Sequence, residues 1–456
     1  MMAALTAQDL MTATGGCWQG LQGESSWQRV STDSRDCDQN TLFVALRGER
    51  FDAHDFLPDV AATGAAAVVS AAANEALPLL QVADTQIALA DIAGINRARF
   101  KGPLVGLTGS SGKTSSKEMI ASILAQCGQV RATAGNLNNE IGVPLSLLSI
   151  DAGDDYAVIE MGAAKSGDIA YLCRFARPDI RLLTNAQEAH LGGFGSVETI
   201  AETKGEIFDD MTARHTAVIN ADSPWFDQWF ERAASGQRFT FSLTKQNADF
   251  HAGDIAQTQT GQRFRLHSPQ GDIQIELPWP GQHSVANALG AAACALAAGA
   301  DLEAVRRGLA ALPAIDGRLR EHALEGNICL IDDSYNANPS SVKAAIDVLA
   351  ERAGRRVLVL GCMAELGADS AHWHQQVAEH AAAKGISALY CVGECAGHYQ
   401  KGFGEALVFD SRQELAEALL AGIESGDTIL IKGSRSAAMD DVVRALLSNL
   451  PKAEGH

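Results

Sequence analysis

The segment that most constrains this chain is TGSSGKT (108–114). It sits between an apolar run, PLVGL (103–107), and a helix-like run, SKEMIASILAQCG (116–128), that closes on glycine. A strand that ends in a glycine turn and leads straight into a helix suits a parallel sheet, where each helix returns over one face. The same alternation continues in YAVIEMG (156–162), DIRLLTN (179–185) and TAVINAD (216–222). These predict a doubly wound, mainly parallel sheet. Residues 239–277 differ, because QRFRLHS and IQIELPW alternate apolar and polar positions, which predicts hairpins at the edge of that sheet.

A second doubly wound unit begins near Pro313, with strands expected at NICLIDD (327–333), RVLVLG (356–361), ALYCVG (388–393) and TILIKG (428–433). The first hundred residues read as a small α/β unit. TLFVAL (41–46) and AAAVVS (65–70) are short buried strands, with the turn-rich RGERFDAHDF (47–56) between them. The fold class is therefore α/β in three domains: a small N-terminal unit (1–99), a central phosphate-loop domain (100–313) and a C-terminal Rossmann-like domain (314–456). A chain of 456 residues accommodates three such cores.

A formal net charge of −19 argues against nucleic acid as a partner, although a local loop still binds an anion within an acidic protein. The nine cysteines form no C-x-x-C pair and no zinc pattern, so reduced thiols in a cytoplasmic protein are expected. The N-terminus lacks a basic stretch followed by an apolar core. The most apolar window, 285–300, is Ala/Gly-rich and too short to span a membrane, which predicts a buried helix. A cytoplasmic monomer is expected.

TGSSGKT carries its own chemistry. Gly109 and Gly112 let backbone N–H groups approach a phosphate, with Thr108, Ser110 and Ser111 completing the turn. Lys113 supplies a cation for the outer phosphates, Thr114 a hydroxyl for Mg²⁺, and the helix its positive end. The ligand expected is ATP with Mg²⁺. The full Walker spacing would need glycine at position 107, which is Leu107, so only the shorter G-x-x-G-K-T form is present. Glu160, at a strand end, offers the hard oxygen that Mg²⁺ prefers. By itself the loop shows nucleotide use and does not separate a ligase from a switch or a transport ATPase.

Further segments follow in order: TDSR (32–35), FVALRGERFDAHDF (43–56), TAGNLNNEIGVPLSLL (133–148), VIEMGA (158–163), AHLGGFGS (189–196), KGEIF (204–208), GRL (317–319), DDSYNANPSS (332–341), MAELG (363–367) and KGSRSAAM (432–439). Together with the phosphate loop they resemble the Mur ligase family, in its dipeptide-adding branch, over nearly the whole chain. The resemblance implies an ATP-dependent amide ligase of the cell-wall pathway. Its acceptor would be UDP-N-acetylmuramoyl-tripeptide, its incoming amine D-alanyl-D-alanine, and its intermediate an acyl phosphate. A branch that adds a single amino acid is the nearest rival reading. The third acceptor residue, lysine or diaminopimelate, stays open.

The resemblance also implies roles. Lys113, Glu160, His190 and Lys204 would be catalytic. Thr114, Glu160, His190 and Lys204 would serve the metal site, Lys204 as a carbamate, although a lysine in that sequence reads by itself as a solvated helix residue. Asn287, Arg318 and Asp333 would contact the nucleotide, with Ser284 standing where the family pattern has asparagine. Ser31, Thr32, Ser34 and Arg35 would bind the UDP end of the acceptor. Asn136, Asn138, Asn139, Tyr335, Asn336, Asn338, Lys432, Ser434 and Arg435 would contact substrate. Asn338 also reads as a helix cap before Pro339.

Overall fold

The run LVGLT forms the strand Leu104–Thr108, buried at every position. A strand covered on both faces needs apolar or small residues throughout, which explains the lack of alternation. It runs parallel to Tyr156–Glu160 on one side and Ile180–Leu183 on the other. A computed structural model describes residues 2–21, 23–48, 51–70, 77–258, 261–451 and 453. Glu49 and Arg50, within RGERFDAHDF, lie outside the described residues.

Among the described residues the central sheet has nine strands. Their order is Gly271–Leu277, Gln262–Ser268, Phe250–Gln257, Gln237–Ser242, Thr216–Asn220, Ile180–Leu183, Leu104–Thr108, Tyr156–Glu160 and Val130–Ala132. The pairings at the Gly271–Leu277 end are antiparallel, and the rest are parallel. Gln262–Ser268 alternates buried and exposed residues as its sequence predicts.

Among the described residues three helices cover one face of this sheet, with Leu302–Ala310 lying over its Gly271–Leu277 edge. Lys113–Leu124 supplies Ile120 and Ile123, and Gln282–Ala297 supplies Leu289 and Ala292, against Val105, Leu107 and Leu182. Small residues bring the second helix close: a Cβ on Gly290 would lie 3.3 Å from Leu182. No helix among the described residues is long and apolar enough to cross a membrane. The other face shares its apolar core with the N-terminal unit, because Leu89 and Ile92 of the helix Thr85–Arg99 join Ile159 and Leu183 in one cluster. Polar anchors fix that helix: Asn96 Nδ2 donates to Leu147 O at 2.8 Å, and Arg97 pairs with Asp179 at 2.8 Å. Each fully buried aliphatic side chain contributes about 1.5–3 kcal/mol, so these runs dominate the stability of the unit.

The N-terminal sheet runs Cys17–Gln19, Leu79–Gln81, Ala66–Val69, Thr41–Val44, Arg29–Ser31. The third sheet runs Arg320–Leu324, Ile328–Asp333, Thr428–Lys432, Arg356–Leu360, Ala388–Val392, Leu407–Phe409, with only its first pairing antiparallel.

Two expectations are corrected. The helix after the glycine turn begins at Lys113, three residues early, because Gly112 at φ +78° ends the turn and releases the next residue into the helix. The cysteines are not all reduced, since Cys362 and Cys395 form a disulfide with His374 close by. Their separation of 33 residues hides the pair in the sequence. The parallel neighbours Arg356–Leu360 and Ala388–Val392 end beside each other and bring the two together.

Candidate functional site

The loop 108–114 is held from behind by the end of the next strand. Asn185 Oδ1 accepts from Ser111 N at 2.9 Å, Asn185 Nδ2 donates to Ser111 O at 3.1 Å, and Thr184 Oγ1 donates to the same oxygen at 2.9 Å. Ser110 Oγ donates to Gln187 O at 3.0 Å. Neither glycine of the loop has room for a side chain. A Cβ on Gly109 would lie 1.9 Å from Thr184 Oγ1, and one on Gly112 would lie 2.5 Å from Asn287 Oδ1. Lys113 Nζ folds back to donate to Gly109 O at 2.7 Å. Burial pushes its pKa down, with Glu160 opposing and Arg318 adding to the shift.

Glu160 is 2% exposed. Its Oε1 accepts from Asn138 Nδ2 at 2.8 Å, while its Oε2 is buried with no hydrogen-bond partner. An orphaned carboxylate oxygen beside a phosphate loop fits a hard cation such as Mg²⁺. Lys204 is 1% exposed, at the end of the helix Val197–Gly205. The solvated-lysine reading is thereby corrected. Burial, and then the charge of Lys113, push its pKa well below the lysine range. His190 adopts a left-handed φ of +57°, and its Nδ1 meets the carboxylate of Glu365 from the third unit. Burial lowers its pKa and Glu365 opposes the shift.

The third unit roofs the loop. Arg318 Nη2 donates to Thr114 Oγ1 at 3.0 Å, with its guanidinium 4.4 Å from the centre of the Tyr335 ring. Asn338 caps the helix Pro339–Ala350, accepting from Ser341 N at 2.8 Å, and also donates from Nδ2 to Ser111 Oγ at 3.1 Å. Asn338 thus both caps its helix and touches the phosphate loop. Ser340 Oγ donates to Glu188 at 2.6 Å. Lys432 Nζ pairs with Asp333 at 2.6 Å and donates to Asn336 O at 2.9 Å.

Between the units lies a cavity of about 550 Å³, a volume suited to a nucleotide-sized ligand. It gathers Ser110 to Thr114 with Asn136, Asn138, Asn139, Glu160, His190 and Asn287 from the central unit. From the third unit come Arg318, Asp333, Tyr335, Asn336, Asn338, Lys432 and Arg435. Several predicted residues do not line it. Thr108 lies behind the loop, with its Oγ1 buried, and Gly109 backs onto Thr184. Lys204 is buried and does not line it, and Ser434 faces a second groove. Ser31, Thr32, Ser34 and Arg35 belong to the N-terminal unit, where Ser31 Oγ donates to Asp33 O at 3.1 Å and Arg35 is tied to Asp33 at 2.6 Å.

Sequence reasoning missed other residues. Trp279 and His283 form a wall beside Asn287. Burial lowers the His283 pKa, and Asp333 opposes the shift. Asn185 could have been found from its place at the end of DIRLLTN, where strand ends face the crevice. Glu365 reaches His190 from 175 residues away, and no local signal announces that contact.

Residues 27–99 match the description "Mur ligase family, catalytic domain". Residues 107–295 match "Mur ligase middle domain", and 317–435 match "Mur ligase, glutamate ligase domain". The chain is 45% identical to the UDP-N-acetylmuramoyl-tripeptide–D-alanyl-D-alanine ligase of Escherichia coli (strain K12), over 98% of this chain and 99% of that protein. Among solved structures it resembles crystal structure I of MurF from Acinetobacter baumannii, with a TM-score of 0.93, 35% identity, and 98% and 99% of the two chains covered. It also resembles the MurF ligase of Thermotoga maritima in complex with ADP, with a TM-score of 0.83, 28% identity, and 91% and 96% covered.

Proposed function

The chain belongs to the Mur ligase family, and on that footing we infer that it is the ATP-dependent ligase that joins D-alanyl-D-alanine to UDP-N-acetylmuramoyl-tripeptide in making the peptidoglycan precursor. The observation that carries this reading is the contact between Arg318 and Thr114, which sets the phosphate loop against the third unit in one cavity.

A carboxylate does not condense with an amine unaided, because its oxygen is a poor leaving group. Transfer of the γ-phosphoryl group of ATP to the tripeptide carboxylate gives an acyl phosphate. The dipeptide amine attacks its carbonyl carbon, the carbon–oxygen bond to phosphate breaks, and ADP and phosphate are released. This chain's residues position and stabilise charge. The N–H groups of 110–114 and Lys113 hold the outer phosphates, and Arg318, with its planar fork, reads them from the opposite side. Asn287 holds the base side of the nucleotide, with Trp279 and His283 beside it, and Asp333 contacts the nucleotide from the third unit.

Mg²⁺ would be held by Thr114 and Glu160, with His190 and a carbamylated Lys204 serving a second ion. The metal supplies charge neutralisation for the phosphates. His190 meets Glu365 through Nδ1, which leaves Nε2 to serve a cation while the carboxylate fixes the ring. Lys204 suits carbamylation because burial favours the neutral amine that reacts with CO₂. Asn136, Asn138 and Asn139 lie where the acceptor peptide enters, and Tyr335, Asn336, Asn338, Lys432 and Arg435 form the dipeptide side. Residues 1–99, with Ser31, Thr32, Ser34 and Arg35, bind the UDP end, 100–313 bind ATP, and 314–456 bind the dipeptide. The protein acts as a cytoplasmic monomer.

The test is phosphate release by the purified chain with ATP, Mg²⁺, UDP-tripeptide and D-alanyl-D-alanine. Full release should require both peptides, and release indifferent to both sinks the reading.

A further inference from the structure

Cys362 and Cys395 are disulfide-bonded, while the remaining cysteines are free. Their position matters more than the bond itself. Cys362 directly follows the strand Arg356–Leu360 and Gly361, and its carbonyl accepts from Ser434 N at 3.0 Å, in the turn assigned above to the dipeptide. Three residues later, Glu365 meets His190, and Glu365 O accepts from Gly192 N at 2.9 Å. One short segment therefore has three anchors: Cys395, the Ser434 turn, and the His190 loop across the cleft.

Access is one-sided. Cys395 is 5% exposed. Cys362 lines a groove of about 860 Å³ together with Glu394, Arg412 and Ser434, so a small reagent reaches Cys362 first. His374, 1% exposed, lies close enough to suggest a metal site. Its lone pair is already committed, because Nε2 accepts from Met363 N at 3.0 Å, which leaves Nδ1–H to donate to Ser370 O at 2.7 Å. The cluster thus lacks the free third ligand that a cation needs.

We propose that Cys362 and Cys395 form a reversible thiol–disulfide site whose oxidant is a small molecular disulfide, and that the oxidised state holds Glu365 against the His190 loop and slows turnover. Oxidation starts when the Cys362 thiol loses its proton to water and the thiolate attacks the reagent's S–S bond. One reagent thiolate leaves and a mixed disulfide remains. Cys395 gives its proton to that leaving thiolate and attacks the Cys362 sulfur, releasing the second reagent thiolate, which takes a proton from water. Two protein thiols are oxidised and one external disulfide is reduced to two thiols. Reduction frees segment 361–367 to follow the relative motion of the units.

The kinetic half of this proposal rests on the ligase reading, whereas the covalent half does not. The experiment uses the full chain equilibrated with oxidised and reduced glutathione, and reads intact mass, a Cys362–Cys395 cross-linked peptide, and ligation rate. Oxidation should lower the mass by about 2 Da, two hydrogen atoms, and lower kcat at least about threefold, both reversed by dithiothreitol. Cys362→Ser and Cys395→Ser should keep the reduced-enzyme rate under every ratio. Absence of the cross-link overturns the proposal, as does a cross-link without a rate change, or the same rate change in Cys362→Ser. Zinc retained stoichiometrically by the reduced protein, and lost in Cys362→Ser, also overturns it in favour of a metal site. A cross-linking protein with no ligase activity in either state would defeat the ligase reading instead.

Discussion

Arg318 donates from Nη2 to Thr114 Oγ1 at 3.0 Å across 204 positions of sequence. The hydroxyl expected to face Mg²⁺ and the guanidinium expected to face phosphate are thus already neighbours. Lysine at 318 would keep the charge but lose the planar fork and the stacking on Tyr335. A hydrogen bond to a charged group contributes about 1.5–3 kcal/mol, so Arg318→Lys should lower kcat/KM for ATP about 10- to 100-fold. Steady-state kinetics with ATP varied decide this, and a change below about threefold would remove Arg318 from the nucleotide site.

Gly112 has φ +78°, and an added Cβ would meet Asn287 Oδ1 at 2.5 Å. Gly112→Ala should lose about 1–2 kcal/mol to backbone strain and also displace Asn287. ADP affinity by calorimetry should fall at least about tenfold. Gly15→Ala is the control, since Gly15 shares the positive φ but has open space around it. It should lower stability only.

Lys204→Ala should abolish ligation, and acetate or propionate should restore part of it by supplying the missing carboxylate. Because carbamylation consumes the neutral amine, and burial together with Lys113 lowers the Lys204 pKa, bicarbonate should activate near neutral pH and progressively less as acid protonates the amine. An unrescued mutant with full activity would refute the assignment.

Burial pushes the Cys173 thiol up to about 12. A raised pKa means less thiolate, about one part in ten thousand at pH 8. Iodoacetamide at pH 8 should therefore modify the exposed Cys17 and Cys127 and leave Cys173 and the buried Cys294 and Cys391 unmodified in the native protein. Rapid labelling of Cys173, mapped by mass, would contradict the raised thiol pKa.

Asp333 and Lys432 are a buried pair at 2.6 Å. Asp333→Ala leaves an uncompensated cation, which should destabilise the fold by about 3–5 kcal/mol in addition to any loss of nucleotide contact. Urea unfolding should show part of that loss recovered in Asp333→Ala with Lys432→Met.

The longer strands were legible from residue pattern alone, because a parallel strand such as Leu104–Thr108 must be apolar throughout and an edge strand such as Gln262–Ser268 must alternate, whereas three-residue strands such as Val130–Ala132 and Leu407–Phe409 are too short to show a pattern. The phosphate loop was legible too, since its glycines and lysine fall within one short segment, Gly109 to Lys113. Loop support was less so: Asn185 matters only because its strand lies beside Leu104–Thr108.

The sequence by itself determined local conformation and the chemical inventory: which runs are strands, where glycine is required, and which cations and carboxylates are available. Tertiary structure alone decided which of them meet. It set Arg318 on Thr114, Glu365 on His190 and Cys395 on Cys362, and it buried Lys204 where its sequence suggests a solvated helix residue. The reason is physical: local preference acts over a few residues, whereas burial and ion pairing depend on neighbours that strand order brings from far along the chain.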